Sequence, residues 1–148
     1  MSVRVSIQAE DFDPAAEVAA LTQDRADIGA VATFTGLVRG DDGLLAMTLE
    51  HYPGMTEREI AVHVAEAESR WPLSGVTIVH RVGTLKPGER IVLVAAASSH
   101  RAAAFAACEF LMDYLKTRAP FWKLERRGEG AVWVEARPSD DDAAGRWR

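Results

Sequence analysis

Residues 91–118, IVLVAAASSHRAAAFAACEFLMDYLKTR, are the stretch that decides the fold. The first seven residues are an uninterrupted apolar run, which predicts a strand buried on both faces. Ser98 or Ser99 is then expected to cap a long helix running to about Arg118, because Pro120 cannot continue a helix. A buried strand that leads directly into a long helix predicts a core in which a helix packs on a sheet.

The segments on either side predict more strands than helices. Ala30–Val38 is rich in β-branched residues and reads as a buried strand, and a turn at residues 40–43 joins it to Ala46–Tyr52, so the two are expected to form a hairpin. The sequence Thr56-Glu57-Arg58-Glu59 has the form of a capping box, and the helix after it carries its apolar residues at helical spacing. Further strands are predicted at Val3–Ile7, Val76–Val82, Phe121–Arg126 and Val132–Glu135, and further helices at Pro14–Leu21 and after Ser139.

This order of elements favours one α+β domain over residues 1–148, with a mainly antiparallel sheet and helices packed on it. The chain has 148 residues, of which 48% are hydrophobic and 26% charged, so it is not a disordered chain. Its longest apolar runs are far shorter than the roughly 20 residues that span a bilayer, and its N-terminus lacks the pattern of a signal peptide. A net charge of −5 argues against a general nucleic-acid binder. The one cysteine, Cys108, excludes an internal disulfide, and a reducing cytoplasm is the expected location.

Lysine is unusually scarce, since only three of the 17 basic residues are lysines. Two of them, Lys116 and Lys123, bracket the segment KTRAPFWK, and the break at Pro120 lets them converge on one pocket. A lysine near another cation and near aromatic rings can lose its proton more easily, which suits a base or a nucleophile. The alternatives are ordinary: Lys116 suits the last turn of a helix, and Lys123 could point outward from a strand.

A second cationic group lies at the predicted start of the long helix. His100 and Arg101 are unfavourable there unless an anion is near, so they indicate a phosphate or carboxylate site, with a solvated surface pair as the equal alternative. Arg39 ends a predicted strand where a loop begins, a common place for binding residues and for surface arginines alike. Cys108 is interpreted as part of the core. The other three histidines, which are interpreted as structural or surface residues, are His51, His63 and His80.

Several runs resemble the large, catalytic subunit of molybdopterin synthase. They are VATFTGLVR, LEHYPGM, RWPL, IVHRVGTLKPGE, SSHRAAAF, MDYLKTRAPFWK and WVEAR, which together span about residues 30–137. The most specific are SSHR and DYLKTRAPFWK. The resemblance implies an α/β-hammerhead-like domain with a small additional β part. It also implies an enzyme, a sulfurtransferase of molybdenum cofactor biosynthesis.

In that family, cyclic pyranopterin monophosphate becomes molybdopterin when two sulfur atoms are inserted as a dithiolene. The sulfur comes from the C-terminal Gly-Gly thiocarboxylate of a small ubiquitin-like subunit. The resemblance therefore implies that small subunit as a partner, a central homodimer within a heterotetramer, and no metal and no organic cofactor. It implies no nucleic acid and no membrane among the partners.

The family's motifs assign site residues by position. Lys116 and Lys123 match its two pocket lysines and are the expected catalytic residues. The remaining matches are expected to bind substrate: Phe34, Leu37, Val38, Arg39, His100, Arg101, Leu124, Glu125 and Arg137, the last reaching the site of the neighbouring protomer. The segment at residues 40–44 is shorter than many family members' loops, and Leu124 stands where a basic residue is common. Two other classes remain open at this point, a non-catalytic adaptor for a ubiquitin-like tail and a phosphate-binding module.

Overall fold

The computed structural model describes residues 1–128, 130–134 and 138–147, which form eight strands and four helices. The strands are β1 (Ser2–Gln8), β2 (Ala30–Leu37), β3 (Leu44–His51), β4 (Gly75–Arg81), β5 (Gly83–Leu85), β6 (Arg90–Ser98), β7 (Phe121–Arg127) and β8 (Gly130–Val134). The helices are α1 (Pro14–Thr22), α2 (Met55–Arg70), α3 (Arg101–Thr117) and α4 (Pro138–Gly145).

The described strands form two four-stranded sheets. The first has the order β1-β4-β6-β2 and the second the order β5-β3-β7-β8. Strands β1 and β4 are parallel, and the other described pairings are antiparallel. This confirms the mixed α+β class and the mainly antiparallel pairing expected from the sequence.

The main core lies between the first sheet and helices α2 and α3. Residues 92–98 of β6 are buried throughout, as the continuous apolar run predicts. Helix α3 packs across β6 and β2, and the thiol of Cys108, half-way along α3, lies 3.8 Å from the carbonyl oxygen of Val94, half-way along β6. The prediction that Cys108 is a core residue is confirmed. Helix α2 contributes Ile60, Val64 and Ala67 to the same core.

The predicted hairpin is wrong. Strand β2 pairs with β6 in the first sheet, whereas β3 pairs with β5 and β7 in the second. The chain between β2 and β3 therefore crosses from one sheet to the other. Strand β2 is also an edge strand with several exposed side chains, so the expectation that it is buried is wrong as well.

Both predicted caps also differ from the structure. Helix α2 begins after Gly54, whose φ of 86° favours glycine, and Glu57 accepts the N–H of Gly54 at 2.9 Å. Helix α3 begins after His100, and the Ser98 hydroxyl instead donates to the carbonyl of Pro72 at 2.6 Å. In each case the hydroxyl side chain is used in a tertiary contact.

Candidate active site

The candidate site is built around the end of the buried strand β4. Val76 and Ile78 on this strand belong to the main core, and His80 follows them at the same spacing, so its side chain leaves the same face of the sheet. The residue is only 6% exposed. Its Nδ1 lies 2.9 Å from the carbonyl oxygen of Arg81, and because a carbonyl only accepts, Nδ1 carries the hydrogen.

The imidazole of His80 contacts the first residue of β7 and is affected by the charges of both predicted lysines. Its ring stacks on Phe121, the first residue of β7, with centroids 3.9 Å apart and planes 14° from parallel. Burial, together with the smaller effects of the positive charges of Lys123 and Lys116, lowers the pKa of His80 to about 4. Both lysines therefore act electrostatically on the same buried ring, and that they line one pocket stays a prediction.

Helix α2 fixes the break between α3 and β7. The hydroxyl of Thr56, a fully buried residue, accepts the N–H of Tyr52 at 3.0 Å and donates to the carbonyl of Pro120 at 3.1 Å. The neighbouring Glu57 places Oε1 3.7 Å from Nε2 of His51, the residue that pairs with Phe121 across the β3–β7 ladder. These contacts join three elements beside the lysines.

The segment that follows β2 lies at the end of the first sheet that also carries His80. Leu37 pairs with Arg90 at the beginning of β6, the end at which α3 finishes. Val38 is buried in a small second core, its N–H donates to Glu89 and its carbonyl accepts from Gly88, both at 2.8 Å. Arg39 is exposed and pairs with Asp41 at 2.9 Å.

The remaining predicted residues occupy three different places. Phe34 lies in the middle of edge strand β2, 40% exposed, and Leu37 is 56% exposed at its end. Leu124 and Glu125 lie half-buried in β7, between β3 and β8, where Glu125 pairs with Arg127. Arg137 lies outside the described residues.

His100 and Arg101 are not near the lysines within one chain. They lie exposed at the first turn of α3, where β6 ends, whereas Lys116 is in its last turn. Fifteen residues at 1.5 Å each separate Arg101 from Lys116, about 22 Å along the helix axis. One chain therefore carries two cationic groups at opposite ends of the same helix.

Comparison with known proteins assigns the family. The MoaE protein family model matches residues 7–118, which is most of the chain. A molybdopterin synthase catalytic subunit from Mesorhizobium japonicum is 61% identical over 147 residues, covering 97% of this chain and 92% of that protein. The chain belongs to the family of molybdopterin synthase catalytic subunits.

Solved structures agree with this assignment. The molybdopterin biosynthesis MoaE protein from Burkholderia ambifaria superposes with a TM-score of 0.85 at 56% identity, over 99% of this chain and 98% of that one. A complex of subunits 1 and 2 of molybdopterin-converting factor from Helicobacter pylori shares the fold, with a TM-score of 0.71 at 20% identity over 91% of each chain.

As a molybdopterin synthase catalytic subunit, the chain is an enzyme subunit of molybdenum cofactor biosynthesis. The two alternatives considered from sequence, an adaptor and a phosphate-binding module without turnover, are set aside by this assignment. No described helix is long and apolar enough to cross a membrane. Within the described ranges, no three His, Cys, Asp or Glu side chains are grouped as metal ligands would be.

Sequence reasoning missed His80 and Thr56. The alternation Val76, Ile78, His80 was visible, and a histidine that continues an apolar stripe at its end is the signal that could have drawn attention to it. The role of Thr56 had no such signal, because its partner Pro120 is 64 residues away.

Proposed function

We propose that this catalytic subunit converts cyclic pyranopterin monophosphate to molybdopterin, taking sulfur from the C-terminal thiocarboxylate of a small ubiquitin-like subunit. The observation that supports the proposal is that Lys116 and Lys123, two of only three lysines, both act electrostatically on the buried ring of His80. Insertion of sulfur and opening of the cyclic phosphate both need proton transfers. Lysine amines can serve as the acid or base in such transfers.

The two lysines receive different roles in this proposal. Lys116 lies at the exposed end of α3, where an incoming chain terminus can reach it, and we assign it to the thiocarboxylate. Lys123 is half-buried in β7 beside Phe121, and we assign it to activation of the pterin substrate. Both reactants are anions, so two adjacent cations also attract them to the site.

The residues at the end of β2 are proposed to line the pterin. Exposed Phe34 and Leu37 offer apolar surface, and Arg39 offers a guanidinium to the phosphate. Val38 has both backbone groups engaged with the turn before β6, so it holds this segment in position. Leu124 and Glu125 are proposed to contribute from β7 beside Lys123.

The distance between the two cationic groups favours a site shared between protomers. His100 and Arg101 lie about 22 Å from Lys116 along α3, too far for one small substrate to touch both in the same chain. We propose that they hold the substrate phosphate in the partner's site, within a homodimer. Edge strand β8 supplies apolar surface for such an interface, since Val132 is 66% and Trp133 54% exposed.

The same proposal extends to the other assigned partners. Arg137, three positions after the last residue of β8 in the sequence, is assigned to the neighbouring site, and one small subunit is assigned to each end of the dimer, near Lys116. The compartment we propose is the cytoplasm, where the buried thiol of Cys108 remains reduced.

Reconstitution with a thiocarboxylated small subunit and the pterin precursor tests the reaction. Lys116→Ala and Lys123→Ala should each lower the rate of molybdopterin formation by at least about 10²-fold, the scale of a lost acid or base. Lys86→Ala is the matched control, because Lys86 is the third lysine and lies exposed in the turn before β6. Near-normal rates for both site variants would remove the lysines from the mechanism.

A further inference from the structure

We propose that His80 is a positioning residue for the sulfur-transfer site, which fixes the face of β7 that carries Lys123 and offers both lysines a neutral partner. This inference rests on the function proposed above. It concerns a residue that does not touch the reactants and acts through Phe121.

Two independent contacts fix the ring of His80. Its Nδ1–H donates to the carbonyl of Arg81 at 2.9 Å, and its face stacks on Phe121 at 3.9 Å. The residue is nearly inaccessible, and its strand is held on both sides, with Ile7 of β1 and Val92 of β6 as its paired residues. The ring is therefore a rigid support that belongs to the first sheet.

The stack transmits this rigidity to the second sheet. Phe121 and Lys123 are two residues apart in a strand, so their side chains leave the same face. Phe121 comes directly after the Pro120 break, where the hydroxyl of Thr56 provides another link. Because the ring of His80 packs against Phe121, the beginning of β7 cannot rotate without losing this contact. Lys123 is therefore held in place.

Burial, rather than the hydrogen bond, keeps the ring that faces the lysines neutral. The bond to the Arg81 carbonyl places the hydrogen of this neutral ring on Nδ1, and the positive charges of Lys123 and Lys116 also disfavour a protonated ring. A carboxylate in this position would pair with the lysines and hold their protons. A neutral ring forms no such ion pair with either lysine.

Two substitutions separate the two contacts. His80→Asn can still donate to the Arg81 carbonyl but cannot stack, whereas His80→Phe keeps the stack and loses the donor. Phe121→Leu removes the stack from the other side and serves if His80→Asn does not fold. The measurement is carbon NMR of the full chain, labelled with ¹³Cε-lysine and bound to the small subunit. This label suits the chain because its three lysines give only three signals.

In His80→Asn, we expect the titration midpoint of Lys123 to move by at least about half a pH unit, with Lys86 unchanged as the internal control. In His80→Phe the midpoint of Lys123 should stay closer to the wild-type value. The kcat of His80→Asn should fall about 10- to 100-fold, the scale of a misplaced reacting group, and the KM for the small subunit should change less than twofold.

An unchanged midpoint for Lys123 in folded His80→Asn, or in Phe121→Leu, would overturn the proposal. An equal loss of kcat in His80→Asn and His80→Phe, without any shift of the lysine signals, would also overturn it. The lysine titrations do not depend on turnover. Full activity of the lysine-to-alanine variants would therefore refute the proposed function while leaving the titration result readable.

Discussion

The buried His80 should make the stability of this protein strongly dependent on pH between about 4 and 6.5. Burial lowers the pKa of the imidazole to about 4 in the folded chain, against the ordinary value of 6.5, and the nearby charges of Lys123, Lys116 and His51 act in the same direction. Within this interval the unfolded chain binds a proton that the folded chain does not, so the free energy of unfolding falls as the pH falls.

The size of the effect follows from the width of the interval. Each pH unit in which only the unfolded chain is protonated costs about 1.4 kcal/mol, so His80 should remove about 3 kcal/mol between pH 7 and pH 4. In His80→Phe this contribution is absent. The variant should be less stable than wild type at pH 7, since it loses the bond to Arg81, and should close or reverse this difference at pH 4.

Urea unfolding followed by tryptophan fluorescence, at pH 7, 6, 5 and 4 and at one protein concentration, measures the effect. His100→Asn controls for removal of a histidine, because His100 is exposed. If the difference in unfolding free energy between wild type and His80→Phe is the same at all four pH values, the buried neutral imidazole is refuted.

Two further predictions concern buried polar groups. Thr56→Val should lower the free energy of unfolding by about 1–3 kcal/mol, because it leaves the N–H of Tyr52 and the carbonyl of Pro120 without their hydrogen-bond partner. Thr56→Ser should recover most of this loss in urea unfolding. Equal stability of all three proteins would contradict the prediction. Burial raises the pKa of the Cys108 thiol from 9.0 to about 11. At pH 8 the folded protein should therefore react with a thiol reagent such as DTNB at least about 100-fold more slowly than the protein unfolded in urea. Comparable rates would mean that the thiol is accessible in the folded protein.

The parts of the fold that local pattern controls could be predicted from the sequence. The apolar run of β6 and the helical stripe of α3 both appear as expected, with α3 ending at Thr117 shortly before Pro120. The break between α3 and β7 was also predictable, because Pro120 cannot continue a helix, whereas a pocket shared by Lys116 and Lys123 stays a prediction. These features depend on residues that are neighbours in the chain.

The parts that depend on distant partners could not be predicted. A short connection after β2 suggested a hairpin, but the partner of β2 is β6, about 60 residues later, and nothing local distinguishes the two pairings. Thr56 and Ser98 have the local sequence pattern of helix caps, but their hydroxyls donate to the distant carbonyls of Pro120 and Pro72. His80 has a role only because Phe121, 41 positions later, stacks on it.

The most direct test of a site shared between protomers is complementation in a mixed dimer. An Arg101→Ala chain and a Lys116→Ala chain are each expected to have little activity alone. If the two residues serve one site from different protomers, the mixed dimer has one site with both defects and one with neither. Random mixing at equal amounts makes half of the dimers mixed, so activity should return to about one quarter of the wild-type level. No recovery, despite verified subunit exchange, would contradict the account.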